Sequence, residues 1–363
     1  MKRIISRIKS SLNPNQLGYL IFYVTNRCNF RCNFCFYRDE IDKGLKPDEL
    51  TLSEIKKFSK TIGPLMQLSL TGGEPFLRKE MIEIADLLIK ETDPQYVTIP
   101  TNGSLGERIL EFYKYMLPRY PNTYFRHVYS IEGIGKKHDE LREIKGSFEK
   151  IKKSFNEVES LRSKYKNFII DSNSVFTKDS EETLLETLKY LRDNFSFDNL
   201  SVTYARGKIP NEELKKVTKN KYIDINNFIE SIERNRETRL FSSIVRGVSS
   251  VSRDHLIRVA FNDEFVTPCV AGRKFAIVSE TGDVFPCEIL NEKIGNIKDA
   301  DYNLSKILKN NESKRIQKWI KDTKCKCTFE CASAASIVWN YKNYPKILKS
   351  SAKSFLRDKK AVY

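Results

Sequence analysis

Residues 25–37 read TNRCNFRCNFCFY, with three cysteines, two arginines and four aromatic side chains in thirteen positions. The thiols fall at Cys28, Cys32 and Cys35. A zinc site usually closes with four ligands, commonly as two C-x-x-C pairs. Here one loop offers three, and within the next hundred residues only His127 could add a fourth. Three thiolates leave one coordination position open, which suits a cubane iron–sulfur cluster with one free iron. An incomplete zinc site or buried structural cysteines would also place thiols here.

The chain has 363 residues, 40% hydrophobic and 11% aromatic, enough for one large domain or a large one with a small partner. No run approaches the roughly 18 apolar residues of a membrane span. The opening MKRIISRIKSSL lacks an apolar h-region, so no secretion signal is expected and the protein is placed in the cytoplasm. In that reducing compartment, eight clustered cysteines favour metal sites over disulfides. Ten of the sixteen net positive charges sit at the two ends. Residues 1–12 hold four bases and no acid, and residues 342–360 hold seven bases against one acid. A nucleic-acid binder more often spreads a basic face across its fold, so no nucleic-acid partner is expected.

From residue 18 to about 207, strand-like runs (YLIFYVT, MQLSLTGGEP, YVTIPTNGS, FRHVYSIEG, FIIDSNSVFT, NLSVTYARG) alternate with amphipathic helical patterns. This is the signature of β-α units and a parallel sheet, either an open barrel or a doubly wound sheet. In both, ligands gather at the C-terminal strand ends. Cys28, the run Gly72-Gly73-Glu74-Pro75, Asn102, Ser130 and Glu132 all lie just past such ends. The organisation expected is a basic segment at 1–17, a core at 18–210, a helical connector at 211–260, a second unit at 261–340 and a basic tail at 341–363. Within the second unit, FAIVSETGDVFPC reads as a β-hairpin.

C-x-x-x-C-x-x-C after the first strand, TGGEP after the second and IPTNG after the third resemble the radical S-adenosylmethionine (SAM) superfamily. The resemblance implies a partial (β/α)6 TIM-like barrel followed by a small cysteine-rich hairpin-plus-helix domain. It implies that Cys28, Cys32 and Cys35 bind a 4Fe–4S cluster whose unique iron is chelated by SAM. Gly72, Gly73, Glu74 and Pro75 would then meet the methionine amino group. Glycines let backbone approach closely, and a carboxylate accepts from an ammonium. Phe34, Asn102, Ser130, Ser172 and Arg206 complete the implied cofactor-binding set, with Arg206 toward the SAM carboxylate and Ser130, with Ser172 or Asn173 of the next strand, toward the ribose. In VYSIEGIGKKHDELREIKGSFEKI, Glu132 stands where the related segment carries Asp.

Cys269, twelve residues, Gly282, four residues and Cys287 bracket the hairpin, and CKCTFEC adds Cys325, Cys327 and Cys331. This resembles the SPASM and twitch extensions of the superfamily. Five thiols imply one auxiliary 4Fe–4S cluster held by four of them, including Cys269 and Cys287. A structural zinc site is the alternative.

The resemblance implies reductive cleavage of SAM to a 5′-deoxyadenosyl radical that abstracts hydrogen from a substrate C–H bond, with electrons from flavodoxin or ferredoxin. Oxidation or cross-linking with help from the auxiliary cluster is the expected outcome. Basic segments carrying Ile4, Ile5, Ile8 and Leu12 at one end and Ile347, Leu348, Phe355 and Leu356 at the other suggest contact with the inner membrane face. They point to a lipid or lipid-linked glycan substrate, with a small molecule or peptide as the other substrate classes. A nucleotide cyclase resembling molybdopterin precursor synthesis lacks support in the tail DKKAVY, which has no glycine pair. A non-enzymatic zinc or iron–sulfur nucleic-acid binder leaves TGGEP and TNG unexplained.

Overall fold

A computed structural model describes residues 13, 16–44, 48–233 and 240–360. Nine strands form one sheet in the order β6-β5-β4-β3-β2-β1-β7-β8-β9. These are β1 Tyr19–Thr25, β2 Gln67–Gly72, β3 Tyr96–Thr101, β4 Tyr124–Ser130, β5 Phe168–Phe176, β6 Asn199–Tyr204, β7 Phe275–Val278, β8 Asp283–Phe285 and β9 Gly295–Asn296. Strands β1 to β6 are parallel and neighbour one another in chain order, the product of repeated β-α units.

The two faces of β1–β6 differ in chemistry, which decides between the two architectures. One face is apolar and covered by helices. Helix Gly106–Arg119 lays Ile109, Phe112, Tyr113, Met116 and Leu117 on it at helical spacing, and all five are buried. Tyr113 packs 4.5 Å from Phe168, ring centroid to centroid, and its hydroxyl meets His127 Nδ1 at 3.0 Å. Helix Ser147–Glu159 buries Phe148, Ile151, Phe155 and Val158 in the same layer. Each such side chain contributes about 1.5–3 kcal/mol by leaving water.

The opposite face is polar. Tyr19 bonds Ser69, Gln67 donates to Thr98, Arg126 pairs with Asp171, and Asn173 donates to Thr203. A doubly wound sheet would carry helices on both faces. Here the polar face is the inside of a partial barrel.

The hairpin forms as expected, with Ile277 opposite Phe285 and Gly282 at φ +91° in its turn. It is not set apart from the core, however. β7 runs parallel to β1, pairing Phe275 with Tyr19, and so extends the barrel sheet. All four β7 residues are buried, and the pairing satisfies the edge of β1 that would otherwise present free N–H and C=O groups.

Helix Tyr344–Lys360 lies along helix Leu240–Asn262. At Gly247 the approach is so close that a Cβ would fall 2.1 Å from Ser351 Oγ. Ile347 is buried while Leu348 is 64% exposed. Residues 1–12 and the side chains of Phe355 and Leu356 lie outside the described residues. No described helix is long and apolar enough to cross a membrane.

Candidate functional site

The cysteine loop leaves the C-terminal end of β1 and is pinned there by the glycine run that follows β2. Gly73 N donates to Thr25 O at 2.9 Å and Glu74 N to Arg27 O at 2.8 Å. A Cβ on Gly73 would stand 2.1 Å from Arg27 O, and one on Gly72 2.1 Å from Thr25 O. The two glycines therefore admit the cysteine loop's own backbone.

Glu74, 1% exposed, receives protein donors. Oε1 accepts from Phe76 N at 3.2 Å and Thr101 Oγ1 at 2.8 Å, and Oε2 from Asn102 N at 2.8 Å. Burial pushes its carboxyl up to about 7 despite these donors. Pro75 is buried and opens a short 3-10 turn. Asn102 Nδ2 reaches Asn29 Oδ1 at 2.8 Å, and Asn29 Nδ2 reaches Ser104 at 2.9 Å, so the third strand end also grips the loop. Asn29 escaped the sequence reading because an asparagine between two cysteines carries no pattern of its own.

Cys28, Cys32 and Cys35 sit in an apolar cup of Phe30, Phe34, Leu141, Ala205, Ile209 and Leu214. Phe30 N donates to Cys28 Sγ at 3.4 Å, and a guanidinium N–H of Arg142 to Cys32 Sγ at 3.7 Å. A backbone hydrogen bond from Tyr37 favours the Cys35 thiolate. Burial pushes Cys28 to about 12 and Cys35 to about 11, and it raises Cys32 as well. These thiols hold their protons until a metal displaces them. Soft thiol donors in a water-poor cup, with N–H groups aimed at sulfur, fit an iron–sulfur cluster.

Arg142 closes the back of this cup. Its Nε and second amino group donate to Glu132 at 2.5 and 2.6 Å, and its guanidinium lies 5.3 Å from the Phe34 ring centre. Glu132 is 1% exposed, and Arg142 is buried beside it. Glu132 therefore turns to Arg142.

The register separates the remaining candidates. Ser130 pairs with Asn173 on the inner face at the strand ends. Ser172 pairs with Tyr129, whose hydroxyl bonds Ser154 of a covering helix, so Ser172 faces the helices and Asn173 faces the interior. The Ser172 hydroxyl is buried without a hydrogen-bond partner in the structure. Arg206 is engaged by protein carboxylates, at 2.9 Å from Glu288 and 3.5 Å from Glu330, between the rings of Phe36 and Phe329.

At the back, Ala271 N donates to Cys269 Sγ and Leu290 N to Cys287 Sγ, both at 3.5 Å. Phe329 N supports Cys327 in the same way. Cys327 lies within electrostatic reach of Cys269, Cys287 and Cys325. The Cys331 side chain meets Tyr19 and lies within electrostatic reach of Arg206 and Glu288. Burial raises Cys287 and Cys327 to about 12 and Cys325 to about 11. This thiol set also fits a cluster.

The radical SAM superfamily profile matches residues 22–191, and the profile of an iron–sulfur cluster-binding domain, SPASM, matches residues 269–332. The chain belongs to the radical SAM superfamily and carries a C-terminal SPASM domain. It is an enzyme whose cofactors are SAM and 4Fe–4S clusters.

A GTP 3′,8-cyclase of Haemophilus ducreyi is 34% identical over 101 residues, covering 27% of this chain and 30% of that protein. A GTP 3′,8-cyclase of Pasteurella multocida is 34% identical over 87 residues, covering 23% and 26%. The chain thus spans less than a third of the length of these relatives. Among solved structures, Streptococcus suis SuiB bound to S-adenosylmethionine has a TM-score of 0.58 at 20% identity, over 85% of this chain and 69% of that one. Native anSMEcpe with bound AdoMet has a TM-score of 0.58 at 18% identity, over 94% and 99%. These likenesses define the shared fold.

Proposed function

We propose that the chain oxidises or cross-links a peptide by hydrogen abstraction inside the partial barrel, with Cys28, Cys32 and Cys35 holding the SAM-binding cluster. Bound together, that cluster and SAM supply a 5′-deoxyadenosyl radical. The chain's part is to orient one C–H bond and exclude water.

The observation that carries this reading is the polar inner wall. Tyr19, Ser69, Thr98, Arg126, Asp171, Asn173 and Thr203 present hydroxyl, amide and charged groups in register below the cysteine loop. Such a wall, with Ile21, Val128, Ile169 and Val175 among its polar groups, offers hydrogen-bonding partners to peptide amides beside apolar ground for side chains. Chains of similar fold hold peptides: SuiB bound to precursor peptide SuiA, and anSMEcpe with AdoMet and the Cp18Cys peptide. The back cluster is assigned to Cys269, Cys287, Cys325 and Cys327, whose thiols act on one another electrostatically, with Cys331 turned to Tyr19 and left over.

Anaerobically reconstituted protein is to be assayed for iron, sulfide and 5′-deoxyadenosine, beside a Cys28/Cys32/Cys35→Ala variant. About eight irons falling to about four, with SAM cleavage lost, supports the two-cluster assignment. A mixed peptide pool should then raise the 5′-deoxyadenosine yield. A yield raised by a prenyl-linked glycan and untouched by peptides would overturn the peptide reading.

One feature favours a second reading. Tyr341, Tyr344 and Leu348 are exposed at 71, 45 and 64%, and Lys346, Lys349 and Lys353 lie on another face of the terminal helix, a composition found at anionic membrane surfaces. Flotation of the full chain with anionic vesicles tests this, and a chain left at the bottom of the gradient rejects it.

A further inference from the structure

Glu132 and Arg142 form a buried ion pair whose guanidinium donates to Cys32 of the front cysteine set and acts electrostatically on Cys35. Taking two charges out of water costs several kcal/mol per ion, so such a pair adds little net stability and needs another explanation. Its geometry supplies one. Glu132 engages two guanidinium nitrogens of Arg142 at 2.5 and 2.6 Å, and the remaining nitrogen, Nη1, points at Cys32 Sγ at 3.7 Å. Phe34 holds the guanidinium plane from the side, 5.3 Å from its ring centre.

Glu132 is fixed in turn, with Oε1 accepting from Val175 N at 3.4 Å on β5 and its own N–H directed at His138 Nδ1 at 3.3 Å. Cys32 also lies 3.9 Å from Arg142 O, the acceptor a thiol proton would use. Ligation removes that proton and leaves the Arg142 N–H as the sulfur's hydrogen bond.

We propose that the Glu132–Arg142 pair sets the reduction potential of the front cluster through the hydrogen bond to Cys32. This rests on the assignment of Cys28, Cys32 and Cys35 to that cluster. One-electron reduction, with the electron from a low-potential carrier protein or dithionite, adds one negative charge beside Cys32. The guanidinium N–H and its positive charge favour that reduced form, and the Glu132 carboxylate opposes it. Of the two ions, Arg142 touches the sulfur and Glu132 stands behind it, so Arg142 is the positioning residue with the larger effect. The two ions act with opposite sign.

The test uses full-length reconstituted protein carrying Arg142→Gln, Arg142→Lys or Glu132→Gln. An electron-paramagnetic-resonance redox titration follows the cluster signal that responds to added SAM, with iron and sulfide measured on each sample. Arg142→Gln should lower the reduced-to-oxidised ratio at fixed potential about tenfold, a shift of about 59 mV downward. Glu132→Gln should move the midpoint upward, and Arg142→Lys, which keeps the charge but not the fork that reaches Cys32, should fall between wild type and Arg142→Gln. Midpoints that do not move, or that move in the same direction in Arg142→Gln and Glu132→Gln, overturn the proposal, because a purely structural pair loosens alike from either side. If Arg142→Gln fails to take up iron, the direction of the Glu132→Gln shift decides alone. A wild-type chain with no SAM-responsive signal would overturn the cluster assignment, and this inference with it.

Discussion

The Arg206 guanidinium lies 2.9 Å from the Glu288 carboxylate, tying the end of β6 to the residue after Cys287. The same side chain stacks 4.9 Å from Phe36, the residue after Cys35, and 4.6 Å from Phe329. One half-buried arginine, its side chain 17% exposed, therefore joins the two cysteine sets. Removing one partner of a buried ion pair costs about 3–5 kcal/mol. Arg206→Ala should lower unfolding stability by about that amount, with Arg206→Lys intermediate because lysine keeps the charge and loses the stacking face. Hydrogen exchange checks the coupling. Faster exchange is expected in both residues 28–37 and residues 285–290, and a change confined to either segment would refute the linkage.

The close packing at Gly73 gives a second prediction. A methyl there meets the carbonyl oxygen of Arg27 at 2.1 Å and its carbon at 2.5 Å, and backbone cannot swing aside as a side-chain tip can. Gly73→Ala should displace the loop that presents Cys28 while leaving the back cysteines in place. About half of the iron should be lost after reconstitution, with the SAM-responsive signal gone. Full iron content in this variant would show that the close approach is unnecessary.

The parallel core was legible because its signals are local. Short apolar runs mark the strands, helical spacing marks the covering layer, and Cys28, Cys32 and Cys35 announce themselves by spacing. What the sequence concealed depends on register and on partners distant along the chain. Ser172 and Asn173 are adjacent in sequence, and only the pairing with Tyr129 and Ser130 tells which faces the interior. Arg206 looked free for a ligand because Glu288 and Glu330 lie 82 and 124 residues away. Arg142 was one base in a charged helix until Glu132 and Cys32 closed around it. The union of β7 with β1 follows from an open sheet edge, which no short pattern encodes.

Acid stability should report on His127. This side chain is fully buried against Tyr113 and Tyr129, and burial lowers its pKa to about 3. An unfolded histidine titrates at about 6.5. Between those values the unfolded chain binds one more proton than the folded chain at this site, so stability is present above about pH 6.5 and is lost as pH falls toward 3. The slope for one proton is about 1.4 kcal/mol per pH unit. His127→Phe made together with Tyr113→Phe, so that no hydroxyl is stranded, should flatten the acid limb by that slope. Melting curves of both proteins from pH 7 to 4.5 check it, and parallel limbs would refute it.

Glu74 distinguishes a brace from a ligand contact. Its Oε1 takes two donors and its Oε2 a third, from Phe76, Thr101 and Asn102, so the side chain ties the end of β2 to that of β3. In Glu74→Gln one oxygen becomes an NH2 group facing an N–H or O–H donor, and a buried donor left unpaired costs about 1–3 kcal/mol. The melting temperature should fall accordingly. Because its oxygens are already filled by the protein, SAM affinity should weaken by no more than about threefold, less than 1 kcal/mol. Equilibrium binding of SAM to reconstituted protein separates the two roles. Unchanged stability with SAM affinity weakened about a hundredfold would mean that the carboxylate leaves its three protein donors to meet the methionine ammonium.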